Sequence, residues 1–127
     1  MGIPAGSCVL EMNRILASNT AKTFGLISPY TANVQEKIIE NYRGLSFLCV
    51  GEQHYGGVLS NDYALIDPET VAQMVRIVAQ KGPDVILIMC TNMFGSTIAE
   101  TLTIETGILV IDSASVTLQA GMCLAKA

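Results

Sequence analysis

One segment of the sequence strongly limits the possible folds. Six apolar residues run without interruption from Val85 to Cys90, and a polar turn that ends at Gly95 follows. An unbroken apolar run of this length predicts a strand that is buried on both faces, as in parallel sheets. The turn predicts a strand-to-helix connection that places Cys90 at a helix start, where N–H groups and the helix dipole favour a thiolate and a bound carboxylate. The alternative is that Cys90 is a small buried core residue.

Helix-like and strand-like patterns alternate along the rest of the chain. Residues that favour helix starts, among them Ser7, Thr31 and Asp67-Pro68-Glu69, precede apolar positions spaced three or four apart. The predicted helices begin near residues 8, 32, 68 and 96, and a last one begins at Ser113 or Ser115. The predicted strands are 24–28, 45–50, 85–89 and 108–111, and 51–66 is predicted to be a long surface loop.

This alternation predicts an α/β fold with a four-stranded parallel sheet of flavodoxin-like order 2-1-3-4 and helices on both faces. In that order the first and third strands are neighbours, and their crossovers leave in opposite directions. Ligands bind at such a switch point. We therefore expect Tyr30 and Cys90, which follow these strands, to face one crevice, with Ser113 on the other side of Cys90.

The composition excludes several classes of function. The 127 residues suit a single domain, 1–127, and half of them are hydrophobic, which predicts a large core. A net charge of −4 without a Lys/Arg run argues against nucleic acid and anionic membrane surfaces as partners. Four widely spaced cysteines and one histidine, His54, indicate neither a zinc site nor a disulfide framework. Without a recognisable leader peptide or membrane span, we expect a cytoplasmic protein.

Several motifs, in the right order, resemble those of the aspartate/glutamate racemase superfamily, and within it the maleate isomerase and arylmalonate decarboxylase branch. Leu26-Ile27-Ser28-Pro29-Tyr30-Thr31 with Val34 resembles its T-P-Y-T-x-x-V motif. Cys90-Thr91-Asn92-Met93 resembles its C-T-N motif. Gly2-Ile3-Pro4 resembles the segment before its central strand, and 107–113 with Thr117-Leu118 resembles its last motif, with Leu109 in place of proline and Gln119 in place of tryptophan.

The resemblance implies cysteine chemistry at the carbon next to a carboxylate, without a metal or cofactor. In this superfamily a cysteine moves a proton or adds to a double bond, while N–H and hydroxyl groups hold the carboxylate oxygens. The matching positions make Cys90 the catalytic thiol. They make Thr91 and Asn92 the carboxylate-binding turn and Tyr30 a hydroxyl donor, with Ser113 lining the pocket of a small mono- or dicarboxylic acid.

The resemblance covers only the C-terminal half of the two-domain family chain, because Met1 falls near its middle. It therefore implies a truncated or split enzyme, with the missing pocket wall supplied by a homo-oligomer or by a complementing N-terminal half. The alternative is a catalytically silent α/β module with a residual carboxylate site or a dimerisation role. Alkylation of Cys90 and its protection by maleate would separate these two hypotheses.

Overall fold

A computed structural model describes residues 5–57, 60–93 and 95–126 of the chain. The Gly2-Ile3-Pro4 motif lies outside the described residues, as do Val58 and Leu59 of the predicted loop and Phe94 of the turn after the third strand. The elements in chain order are α1 (Cys8–Ser18), β1 (Thr23–Ser28), α2 (Ala32–Gly44), β2 (Leu48–His54), α3 (Ser60–Tyr63), α4 (Pro68–Ala79), β3 (Val85–Ile88), α5 (Ser96–Thr106), β4 (Leu109–Asp112) and α6 (Ser113–Lys126).

The residues that favour helix ends act mostly as their chemistry predicts. The Ser7 hydroxyl accepts a hydrogen bond from the Leu10 N–H at 3.2 Å, and the Asp67 carboxylate accepts one from the Glu69 N–H at 2.8 Å. Gly107, with φ of 72°, ends α5 in the left-handed conformation. Thr31 occupies the cap position of α2 but makes no side-chain cap bond.

The four described strands form one parallel sheet of order β2-β1-β3-β4, which confirms the predicted topology. Ile27 of β1 lies opposite Ile88 of β3, and Ile88 lies opposite Asp112 of β4. The connection from β1 runs outward to β2, and the connection from β3 runs outward to β4. The switch point therefore lies between the carboxyl ends of β1 and β3.

Two hydrophobic cores lie on opposite faces of the sheet, as alternating strand residues require. Ile27, Ile86 and Ile88 pack with α4 and α5 on one face. Leu26 and Leu87 pack with α1, α2 and α6 on the other face. The helices thus cover both faces, as the sequence predicts. No helix among the described residues is long and apolar enough to cross a membrane.

The second strand differs from its prediction. It spans Leu48–His54, so the first part of the predicted loop 51–66 is strand, and α3 occupies part of the remainder. A register shift opposite Phe24 and Gly25 interrupts the alternation of side chains along β2. The strand also lies at the sheet edge, where its side chains are half-buried or exposed. Because of the register shift and the edge position, β2 lacks the alternating apolar pattern by which strands are predicted.

At the other edge of the sheet, formed by β4, a side chain binds one of the backbone N–H groups. The Thr103 hydroxyl of α5 accepts a hydrogen bond from the Val110 N–H of β4 at 2.9 Å, and it donates to the Ala99 carbonyl at 2.8 Å. Thr103 thereby binds a backbone group that β4 would otherwise present to another strand.

Candidate active site

All five residues predicted for the site line one cleft of about 500 Å³ at the switch point, which we call the Cys90 cleft. It lies at the carboxyl ends of β1 and β3 and at the start of α6. Its lining residues are Cys8, Val9, Tyr30, Val34, Ile38, Tyr63, Met89, Cys90, Thr91, Asn92 and Ser113. Some of these side chains are apolar, and the others carry thiol, hydroxyl or amide groups.

Cys90 has an unusual backbone conformation. Its φ of 146° lies in a region that side-chain-bearing residues rarely adopt. The Cys90 N–H donates a hydrogen bond to the Ser113 hydroxyl oxygen at 3.1 Å, and its carbonyl accepts one from the Met93 N–H at 3.4 Å. The side chain is half-buried. Strained residues of this kind concentrate at functional sites, where the surrounding structure holds them in place.

The prediction that Cys90 lies at the start of the following helix is wrong. The turn 91–93 follows Cys90, and α5 begins only at Ser96, with Gly95 as its cap. The position of Gly95 is fixed by packing, because a Cβ atom there would lie 2.9 Å from Asp112 Cβ and 3.0 Å from Ile88 Cγ2. The helix start that contacts Cys90 is instead that of α6.

Ser113, the first residue of α6, joins three elements of the site. It is 1% exposed, and its hydroxyl both accepts from the Cys90 N–H and lies 3.5 Å from the Ile88 carbonyl as a donor. The preceding residue, Asp112, accepts a hydrogen bond from the Ser115 N–H at 3.0 Å and so caps the helix. Ser113 therefore contacts the backbone of Cys90 rather than only lining the cleft.

Tyr30 faces Cys90 across the switch point. Its N–H donates to the Ser28 hydroxyl at 3.3 Å, its carbonyl accepts from the Gly56 N–H at 3.0 Å, and its ring lies edge-on to Tyr63 with centroids 5.7 Å apart. Burial raises the pKa of Tyr30 well above its usual value, and the charge of Cys90 and a hydrogen bond with its side chain raise that pKa further. Tyr30 is therefore a neutral phenol and a hydrogen-bond donor at neutral pH.

Thr91 and Asn92 are exposed at the mouth of the cleft, directly after Cys90. Their backbone and side-chain polar groups are accessible to a ligand there. The structure thus brings together all five predicted residues.

Other polar residues lie elsewhere or were not predicted. His54 is absent from the cleft lining, and its Nδ1 lies 3.0 Å from Glu52 Oε2. Tyr63 lines the cleft but falls in the predicted loop, where no sequence pattern marked it. Cys8 adds a second thiol to the lining. Across residues 5–57, 60–93 and 95–126, no group of three His, Cys, Asp or Glu side chains is arranged to hold a metal ion.

No protein-family model and no curated protein sequence matches the chain. Solved structures do match it. A liganded form of an arylmalonate decarboxylase superposes with a TM-score of 0.90 at 17% identity, covering 98% of this chain and 54% of the decarboxylase chain. A Nocardia farcinica maleate cis-trans isomerase with a covalently bound succinylcysteine intermediate gives 0.87 at 18% identity, covering 94% and 49%. A Pseudomonas putida maleate isomerase with maleate gives 0.84 at 16% identity, covering 91% and 46%.

The chain spans about half the length of these solved structures. These two kinds of enzyme are the ones whose motifs the sequence resembles. The chain therefore has the α/β fold shared by arylmalonate decarboxylase and maleate cis-trans isomerase, over about half of their length.

Proposed function

We propose that this chain carries the catalytic cysteine of a cofactor-independent enzyme that isomerises, racemises or decarboxylates a small mono- or dicarboxylic acid at the carbon next to the carboxylate. One observation carries the proposal. Cys90, in a strained backbone conformation, lies at the switch point of the sheet and lines the same cleft as Tyr30. The fold similarity to two kinds of enzyme named for such chemistry supports it.

Each residue has a specific role in this proposal. Cys90 is the thiol that moves a proton or adds to the substrate, and Ser113 holds its backbone. Tyr30, Thr91 and Asn92 donate hydrogen bonds to the carboxylate and to the negative charge that develops on it. Among the described residues that line the cleft there is no Lys, Arg or His, and the donors that this chain contributes are neutral. The loss of one such donor typically lowers a rate by about 100-fold to 1,000-fold.

One of the similar structures, a mutant in which one cysteine is replaced by serine, carries a covalent adduct on another of its cysteines. The Nocardia farcinica maleate isomerase structure holds a succinylcysteine intermediate. For this chain we propose that Cys90, as its thiolate, forms a bond from sulfur to one alkene carbon of a maleate-like substrate. The electron pair of the double bond then moves onto the carbon beside the carboxylate, where Tyr30 and the 91–92 turn hold the resulting enediolate. Rotation and departure of the sulfur restore the double bond.

The test is alkylation of Cys90 in a variant in which Cys8, Cys49 and Cys123 are replaced by serine. We expect iodoacetamide to modify Cys90 at pH 7 faster than it modifies a free thiol, and maleate or phenylmalonate to slow the reaction. Tyr30→Phe should weaken that protection. If Cys90 reacts no faster than a free thiol and neither acid protects it, the chain is instead a catalytically silent α/β module.

We further propose that the chain is one α/β unit of a two-unit cytoplasmic enzyme, and that a second copy supplies the opposite wall of the Cys90 cleft. Large apolar side chains are exposed beside the cleft and on the adjacent surface of α1 and α6. They are Val9, Leu10, Val34, Leu118 and Met122. An exposed apolar surface of this kind is typical of an interface.

Self-association tests this arrangement. We expect the chain to sediment as a dimer, and the paired changes Leu10→Lys and Leu118→Lys to make it a monomer with weaker carboxylate protection of Cys90. Ile77→Lys is the matched control, because Ile77 is exposed on α4, which packs on the opposite face of the sheet from α1 and α6. A wild-type monomer that still binds maleate would exclude the second copy and favour a complementing N-terminal half as the partner.

A further inference from the structure

Gln35 is an unusual residue for its position. It lies in the first turn of α2, one turn after Thr31, yet its side chain is only 1% exposed. A buried amide is costly unless its donors and its acceptor are satisfied. The sequence gives no reason for a buried glutamine on this helix, so its partners indicate what it does.

The partners of Gln35 connect two strands. Its Oε1 accepts the hydroxyl hydrogen of Ser28 at the end of β1. Its Nε2 donates to the Gln53 carbonyl and to Glu52 Oε2 of β2, each at 3.1 Å. The nitrogen also lies 3.5 Å from the Leu26 carbonyl of β1. Because every partner of the nitrogen is an acceptor and the Ser28 hydroxyl binds the oxygen, the amide is fixed in one orientation.

This orientation determines what Ser28 can do. Because the Ser28 hydroxyl donates its only hydrogen to Gln35, its oxygen is left as an acceptor. That oxygen accepts the Tyr30 N–H at 3.3 Å. Hydrogen bonds from the segment after β2 fix the same turn, since Gly57 N–H binds the Pro29 carbonyl and Gly56 N–H binds the Tyr30 carbonyl.

We propose that Gln35 is a positioning residue for the Cys90 cleft, acting through the Ser28 hydroxyl to hold Tyr30 beside Cys90. Its consequence for catalysis rests on the function proposed above, but its effect on Tyr30 does not. Gln35 is not among the residues that line the cleft, and its hydrogen bond to Ser28 connects it to the backbone of Tyr30.

The environment of Tyr30 provides a direct measurement. Burial and the neighbouring Cys90 raise the pKa of Tyr30, so a Tyr30 that moves away from the cleft should change its environment detectably. Tyr42 provides an internal reference, because it is buried in the core on the α1, α2 and α6 face of the sheet. With tyrosine ¹³C-labelled at Cζ, NMR reports both residues separately, and Tyr30→Phe assigns the Tyr30 resonance.

We expect Gln35→Met, which has similar length without hydrogen bonds, to shift the Tyr30 resonance toward that of a solvent-exposed tyrosine. The Tyr42 resonance should stay in place. Ser28→Ala, which keeps Gln35 and removes the connecting hydroxyl, should cause the same shift and serves if Gln35→Met does not fold. Gln73→Met is the control, because Gln73 is an exposed helical glutamine whose amide binds Glu69 on its own helix.

A second readout separates this proposal from the proposed function. If wild-type Cys90 is protected by maleate, Gln35→Met should weaken that protection about threefold to tenfold, the effect of one lost hydrogen bond. If maleate does not protect the wild type, the proposed function fails while the NMR result still decides the role of Gln35. The positioning role is overturned if the Tyr30 resonance is unchanged in folded Gln35→Met, or if Tyr30 and Tyr42 shift together.

Discussion

At the scale of single residues, the backbone of Cys90 has the clearest energetic consequence. A φ of 146° suits glycine, and for other residues such conformations cost about 1–3 kcal/mol. The site therefore holds its thiol at some expense of stability. This pattern is common where a side chain must be presented at a fixed angle to a ligand.

We expect Cys90→Gly to be more stable than Cys90→Ala by about 1–3 kcal/mol, because glycine relieves the strain and alanine keeps it. Urea unfolding of the two variants measures the difference. Position 123 is the control, since Cys123 is exposed within α6, and there glycine should be less stable than alanine by about 0.5–1 kcal/mol. If the alanine variant were the more stable one at position 90 as well as at position 123, strain at Cys90 would be contradicted.

At the scale of elements, the contact of β1 with α4 depends on the absence of a side chain. A Cβ atom on Gly25 would lie 2.2 Å from Cγ1 of Val78, a contact too close to accommodate without movement of the helix. Gly25 therefore lets α4 lie directly on the central strand that leads to Tyr30.

We expect Gly25→Ala to lower the free energy of unfolding by about 1–3 kcal/mol through overpacking. In the double variant with Val78→Ala, the loss should be smaller than the sum of the two single losses, because the clash is removed. Gly44→Ala is the control and should stabilise by about 0.4–1 kcal/mol, because a Cβ atom there meets nothing within 4 Å. Additive losses at positions 25 and 78 would contradict direct packing.

The elements also show how far a sequence alone can lead. The apolar run before Cys90 and the helix caps at Ser7 and Asp67 predicted their elements because the information is local. The strand order followed from the alternation, and with it the meeting of Tyr30, Cys90 and Ser113. The position of β2 was missed because a register shift and an edge location remove its alternating pattern.

Two features of the site could not be predicted for a related reason. The role of Gln35 depends on the register of β2, which carries two of its acceptors. The helix start beside Cys90 belongs to α6 and not to α5, because the 91–93 turn separates Cys90 from its own helix while the parallel pairing of β3 with β4 brings Ser113 close. Both depend on contacts between residues far apart in sequence.

At the scale of the whole molecule, buried tyrosines limit stability at high pH. Tyr42 is packed between Phe24 and Phe47, with ring centroids 5.0 and 6.3 Å away, and among the described residues its buried hydroxyl has no hydrogen-bond partner. Burial raises the pKa of Tyr42 to about 12. The folded-state pKa exceeds the unfolded value near 10. The contribution of Tyr42 to the free energy of unfolding is therefore fully present below about pH 10 and is lost as pH rises toward 12.

We expect the free energy of unfolding to fall between about pH 10 and pH 12, with Tyr42 contributing about 2–3 kcal/mol of that loss. Tyr42→Phe should reduce the fall and leave stability at pH 7 equal or higher, because it removes an unpaired buried hydroxyl. Denaturation curves measured across this pH range test both points. Tyr55→Phe, at an exposed position, should leave the profile unchanged. An unaltered alkaline profile in Tyr42→Phe would assign the loss to other groups.

The hydroxyl of Thr103 also affects how copies of the molecule can meet. By occupying the Val110 N–H, it denies an incoming chain one of the bonds that strand addition at β4 would need. Sheets that join edge to edge need free backbone groups at both edges, and at the β4 edge one such group is already bound. Contacts between copies through helical surfaces do not need the occupied Val110 N–H, so Thr103 hinders them less than it hinders strand addition at β4.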